Sequence, residues 1–131
     1  MIDHVLFVYD FNLRHARHLV EGVTPEQAVA QPGGLVNHIA WAVGHLAVTS
    51  NVVMMELGGE MAFPQEWAER FFPGVPITSD VDAYPELGAL VEQLELVHGR
   101  LSAHLPTLSS EALAARPQME LVQRRFDQVG K

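Results

Sequence analysis

Apolar residues recur at three- and four-residue steps along most of this chain, the period of a helix that buries one face. Leu6, Tyr9, Leu13, Ala16 and Val20 form such a stripe and predict a first helix over about 4–20, with Gly22 as its stop. Thr24-Pro25-Glu26-Gln27 has the form of a capping box with proline at the first helical position. It opens a short helix that ends at Pro32-Gly33-Gly34. A second long helix is predicted over 35–57, closed by Gly58-Gly59. The connection over 60–83 is broken by Pro64, Pro73, Gly74 and Pro76 and has room for two helical turns at 65–72. A third long helix follows over 85–105, striped by Leu87, Leu90, Val91, Leu94, Val97, Leu101 and Leu105. Ser109 caps another short helix, stopped by Pro117. No alternating strand pattern stands out, so the expected class is all-α.

The segments 23–32 and 108–117 echo one another. Each runs from an apolar residue through a hydroxyl cap and a glutamate to an alanine-rich turn and a proline, and each follows a long helix. A second long helix comes after the first copy, but only residues 118–131 come after the second. The pattern therefore predicts a helical bundle whose fourth long helix is missing or incomplete. A three-helix remnant leaves an apolar groove open. A second copy of the chain is the cheapest cover for it, so a homodimer burying the second or third helix is expected.

Composition narrows the possible partners. A length of 131 residues suits one domain over 1–131, and a hydrophobic share of 48 % is that of a folded globular chain. Eight Lys and Arg against 16 Asp and Glu give a net charge of −8, which argues against binding nucleic acid or an anionic membrane. The absence of cysteine excludes a disulfide framework, a thiolate metal site and a cysteine nucleophile. The first residues place Asp3 where a signal peptide needs bases. The stretch 35–55 is long enough to span a membrane, but it carries Asn37, His38, His45, Thr49, Ser50 and Asn51 and is flanked by acids. A buried helix of a cytoplasmic protein is the better expectation.

Seven histidines give the chain its candidate chemistry. At about 100° per residue, His38, His45, Thr49 and Glu56 fall within about 40° of one another on the second helix, with Trp41 between the two histidines. Such a seam suits either a divalent metal, whose commonest neutral ligand is imidazole, or a hydrogen-bonded core. His98 lies within the leucine stripe of the third helix and needs a partner there. Asn12 falls inside the apolar arc of the first helix and needs one as well. His4, His15 and His18 lie on its polar arc, and His104 points away from the leucine stripe. Neither H-E-x-x-H nor H-x-x-x-H occurs, and the glycine pairs punctuate helices without forming a phosphate loop.

The stretch Pro32-Gly33-Gly34-Leu35-Val36-Asn37-His38-Ile39-Ala40-Trp41-Ala42-Val43-Gly44-His45-Leu46-Ala47 resembles the DinB/YfiT-like superfamily. Thr24-Pro25-Glu26-Gln27, Gln65-Glu66-Trp67-Ala68-Glu69-Arg70-Phe71 and Tyr84-Pro85 are similar to it too, so the resemblance covers essentially the whole chain. It implies an up-and-down four-helix bundle, often dimeric, with a divalent metal (Ni, Zn, Fe or Mn) held by three histidines. One ligand maps onto His45. The other two form an H-x-x-x-H pair on the fourth helix, which this sequence lacks, leaving His38 and His98 as the inward-facing substitutes. Members of this kind include metal-dependent thiol S-transferases, isomerases and hydrolases. A member here would use His45, His38 and His98 as metal ligands, with Trp41, Asn12, Thr49 and Glu56 around the pocket and a small-molecule thiol as partner. The alternatives are a non-catalytic dimerising module and a sensor for an apolar small molecule beside Trp41.

Overall fold

A computed structural model describes residues 1–120 and 122–124. Its elements in chain order are α1 (Ile2–Val20), α2 (Pro25–Ala28), α3 (Ile39–Glu56), α4 (Gln65–Ala68), α5 (Leu87–His104) and α6 (Ser110–Ala114), with 3₁₀ turns at Pro32–Gly34, Glu69–Phe71, Val81–Ala83 and Leu105–Thr107. Helical backbone resumes at Glu120 and Val122–Arg124, and the described residues contain no strand. The all-α reading holds.

Both predicted caps form. Thr24 Oγ1 accepts from Gln27 N while Gln27 Oε1 accepts from Thr24 N, which completes the capping box. Ser109 Oγ accepts from Ala112 N. The second long helix begins later than the sequence suggests, at Ile39 instead of Leu35. Gly33 and Gly34 both take positive φ, at 63° and 79°, and Leu35 leaves the turn with ψ at 129°. The chain can thus re-enter a helix only after His38, which is extended and caps it. The third long helix starts at Leu87, because Glu86 before it is extended.

The core is a sandwich of α3 on α5, the most extensive helix pairing among the described residues. α3 buries Trp41, Val43, Ala47, Val48 and Met54, and α5 buries Leu90, Leu94, Val97 and Leu101. The 57–86 connection adds a third side of aromatic rings: Phe63, Phe71 and Tyr84 are all buried. Asn51, buried on α3, ties that connection down by accepting from Ala62 N at 2.8 Å and Phe63 N at 3.3 Å.

α1 is attached differently. None of its residues is fully buried, although Leu13 and Val20 touch the core. Polar links hold it instead. Tyr9 donates to Ser50 Oγ at 2.8 Å, Arg17 pairs with Glu95 at 2.7 Å, and the Tyr9 ring stacks on His98 with centroids 3.9 Å apart. His98 itself is buried, and its Nε2 meets the Asp10 carboxylate at 2.6 Å. Burial pushes the Tyr9 phenol up from its ordinary range. Val5, Phe7, Val8, Phe11 and Leu19 are left exposed.

Among the described residues, no single helix is long and apolar enough to cross a membrane. The pair formed by Pro25–Gly34 and α3 passes on length and composition but is bent by 100° at the break.

Candidate functional site

His45 sits in the second turn of α3 with its ring lying flat on the Trp41 indole, centroids 4.6 Å apart and planes 12° apart. Its Nδ1 is 2.8 Å from the Phe71 carbonyl oxygen. A carbonyl only accepts, so Nδ1 carries the proton and donates it. The neutral ring therefore keeps its lone pair on Nε2, which has no partner among the described residues. That orientation depends on Gly44. A Cβ there would lie 2.3 Å from Phe71 Cε1, so only glycine lets the Phe71 ring close onto α3 and bring its carbonyl within reach of His45.

His45 borders a cleft of about 390 Å³, lined also by Val48, Thr49, Val52, Phe72 and Val122. The walls are apolar, and His45 and Thr49 supply the polar groups. That is the usual make-up of a small-molecule site, a mostly apolar hollow with a few placed polar groups.

The other predicted site residues lie elsewhere. His38 is not on the helical stripe with His45, because it precedes α3 as its N-cap. Its Nδ1 accepts from Trp41 N at 3.1 Å and its Nε2 donates to the Thr78 carbonyl at 3.0 Å, so both nitrogens are engaged within the fold. Burial holds its pKa below the ordinary histidine value, with the Thr78 bond opposing the shift. His98 faces the core as expected, but its partner is Asp10 on α1. Asp10 interrupts the apolar run of the first helix, and that interruption was the one signal in the sequence that could have identified it. Asn12 corrects an expectation. It is exposed, because α1 is too loosely seated to bury the arc on which it falls. Thr49 is exposed and lines the His45 cleft. Glu56 stands at the far end of α3 and caps the last described segment: its carboxylate accepts from Gln118 N and, at 2.8 Å, from Met119 N. His104 donates from Nε2 to the Leu57 carbonyl at 2.8 Å, which fastens the end of α5 to the end of α3.

The structure therefore brings His45, Trp41 and Thr49 together and leaves His38, His98, Asn12 and Glu56 apart from them. Sequence reasoning missed Phe71, Phe72 and Val122, which reach the site from distant parts of the chain with no local signal. Trp41 is buried as well, and its indole Nε1 is enclosed with no hydrogen-bond partner.

The ligand set needed for a divalent metal can be tested against this geometry. A catalytic site usually takes three protein ligands and keeps one position open. Among the described residues no group of three His, Cys, Asp or Glu side chains is placed to hold a metal. His45 Nε2 is one suitable lone pair, and the described residues do not complete the set.

The family model of the DinB superfamily matches residues 2–129, so this chain belongs to the DinB superfamily. No curated protein and no solved structure matches the chain significantly.

Proposed function

We propose that this DinB-superfamily bundle binds a small, mainly apolar molecule in the cleft beside His45, and that His45 Nε2 accepts a hydrogen bond from one donor on it, a hydroxyl, an amide N–H or a thiol S–H. The observation that carries this reading is the fixed tautomer of His45. The Phe71 carbonyl takes the Nδ1 proton, the Trp41 ring holds the imidazole plane, and an unshared lone pair remains at the edge of an apolar hollow. A group held in one orientation pays little entropy on binding, and this is how a single polar contact selects among apolar ligands.

The test uses N-phenyl-1-naphthylamine, a neutral apolar fluorophore with one N–H donor. Its emission should rise on binding to the wild-type chain. His45→Phe keeps an aromatic ring against Trp41 but removes the acceptor, and should weaken binding by about tenfold, the upper value of one hydrogen bond. Thr49→Trp, at an exposed position on the cleft wall, should fill the hollow and weaken binding further. Two variants that bind the probe as the wild type does would refute the assignment.

A second reading is favoured by the same hydrogen bond. Histidines that ligate metals usually donate their other ring N–H to a carbonyl or carboxylate, as His45 does to Phe71. In that reading the bundle is a metalloenzyme of the thiol-transferase or hydrolase kind, and His45 is one ligand of a divalent ion whose remaining ligands come from outside the described residues. Elemental mass spectrometry of the purified chain beside His45→Ala decides it. About one metal per chain or per dimer, lost in the variant, supports this reading; no metal in either protein rejects it.

A further inference from the structure

We propose that the cleft beside His45 selects amides whose N–H and C=O point the same way, primary carboxamides and lactams, with the N–H donated to His45 Nε2 and the carbonyl accepting from the Thr49 hydroxyl. This inference rests on the assignment of the His45 cleft above and narrows it to one ligand class.

His45 and Thr49 stand one turn apart on α3 and line the same cleft. Residues four apart are neighbours on a helix face. Thr49 is exposed, and its hydroxyl has no partner among the described residues, although a helical threonine often turns back to bond its own backbone. It is therefore free to donate. His45 Nε2 can only accept, because Nδ1 holds the ring proton for the Phe71 carbonyl. The cleft thus presents one acceptor and one donor on an otherwise apolar wall.

Spacing decides what the pair can hold. Four residues of helix rise about 6 Å. The His45 ring lies back on Trp41, one turn before it, so it does not lean toward Thr49. A single hydroxyl oxygen bonded to both groups spans at most about 5.6 Å, two bonds of about 2.8 Å each. An amide sets its nitrogen and oxygen about 2.3 Å apart, so a fork through both reaches about 8 Å. The two bonds must leave the amide on one side. A primary carboxamide or a lactam meets that condition, whereas a trans secondary amide points its N–H and C=O in opposite directions. A carboxylate lacks the N–H, and among the described residues no Lys or Arg lines the cleft to hold its charge. Val48, Val52, Val53 and Phe72 receive the apolar remainder of the ligand.

The experiment displaces N-phenyl-1-naphthylamine from the full chain with octanamide, N-methyloctanamide and octan-1-ol, which share an eight-carbon chain and differ in the polar group. Octanamide should displace the probe up to about tenfold more tightly than the other two, the value of one further hydrogen bond. Thr49→Val keeps the shape of an exposed side chain and removes only its hydroxyl, so within that variant the preference should vanish. The 15N-labelled chain supplies a second readout. The Nε2 resonance of His45, assigned among the seven histidines with His45→Phe, should move upfield as it accepts from octanamide. Equal displacement by all three compounds would overturn the inference and leave the His45 cleft standing. A preference for octanamide that survives in Thr49→Val would overturn it as well, since the second contact would then lie elsewhere. An Nε2 resonance unmoved at saturating octanamide would refute the His45 contact itself. A probe that does not bind at all would remove the cleft assignment and this inference with it.

Discussion

Replacing Gly44 with alanine tests whether His45 is oriented by the close approach of Phe71. The new Cβ would lie 2.3 Å from Phe71 Cε1, 2.4 Å from Cδ1 and 2.6 Å from Cζ. Carbon atoms pack favourably at about 3.5–4.0 Å, so the ring would have to retreat by more than about 1 Å. It has little room for this. Phe71 is fully buried, with the Phe63 ring 6.3 Å and the Tyr84 ring 6.1 Å from it. Overpacking of this kind costs up to about 3 kcal/mol. Alanine returns about 1 kcal/mol through its higher helix propensity. The net expectation is a loss of about 2 kcal/mol, or a fall in Tm of roughly 8 °C at this chain length. Urea and thermal unfolding measure it. Gly99→Ala is the control, because Gly99 lies within α5 and a Cβ there meets nothing within 4 Å. That variant should gain up to about 1 kcal/mol from propensity alone. Gly44→Ala should also shift the Phe71 carbonyl and release His45 Nδ1, so probe binding should weaken even where the variant is fully folded. Trimming the ring in Gly44→Ala/Phe71→Leu should return part of the lost stability, since the two sites share one contact. If Gly44→Ala proves as stable as Gly99→Ala and binds the probe normally, the account of how this site is built is wrong.

Four further outcomes are expected. His38 is held neutral by burial, so its folded pKa lies below the unfolded value of about 6.5. The unfolded chain takes up a proton near pH 6.5 that the folded chain refuses, so this group's contribution is complete above that pH and falls as the pH drops below it. The stability gap between wild type and His38→Asn should therefore narrow on acidification from pH 7 to 5; a constant gap refutes the burial argument. Asp10→Ala leaves buried His98 without its partner and should cost about 1–3 kcal/mol, with hydrogen exchange rising first in α1, and uniform exchange would show that α1 is held by something else. Glu56→Ala should cost about 1 kcal/mol and speed amide exchange at Gln118 and Met119, with Glu56→Gln in between; unchanged exchange at those two amides would rule out the cap. Sedimentation velocity tests the homodimer. The dimer expected from the sequence buries the second or third long helix, where Leu46 on α3 and Leu96 on α5 are 50 % and 42 % exposed, so Leu46→Glu or Leu96→Glu should weaken self-association of the chain, and a monomeric wild type at high concentration removes the dimer altogether.

What the sequence revealed and what it hid follow from the range of the interactions involved. Helix period and capping chemistry are local, so α1, α5, the Thr24 box and the Ser109 cap could all be read in advance. The start of α3 was misplaced because two glycines with positive φ send the chain out of the helical path, and an apolar count across 35–38 cannot register that turn. The error carried into the site. A helical wheel that assumes α3 begins at Leu35 puts His38 beside His45, whereas the extended backbone at residue 38 makes it a cap with both nitrogens engaged. The wheel was right about Trp41, His45 and Thr49, which lie within the true helix. It could say nothing about Phe71, 26 residues further on, whose carbonyl decides which nitrogen of His45 is free. The nitrogen that this imidazole leaves free is thus set by a residue from the 57–86 connection, admitted by the absence of a side chain at position 44. Residue identity on α3 supplies the candidate group, and the 57–86 connection supplies its tautomer, its orientation and part of the cleft it faces. A functional site in this bundle should accordingly be more sensitive to changes at Phe71, Phe72 and Pro73 than to changes at His38 or His98, which hold the fold together away from it.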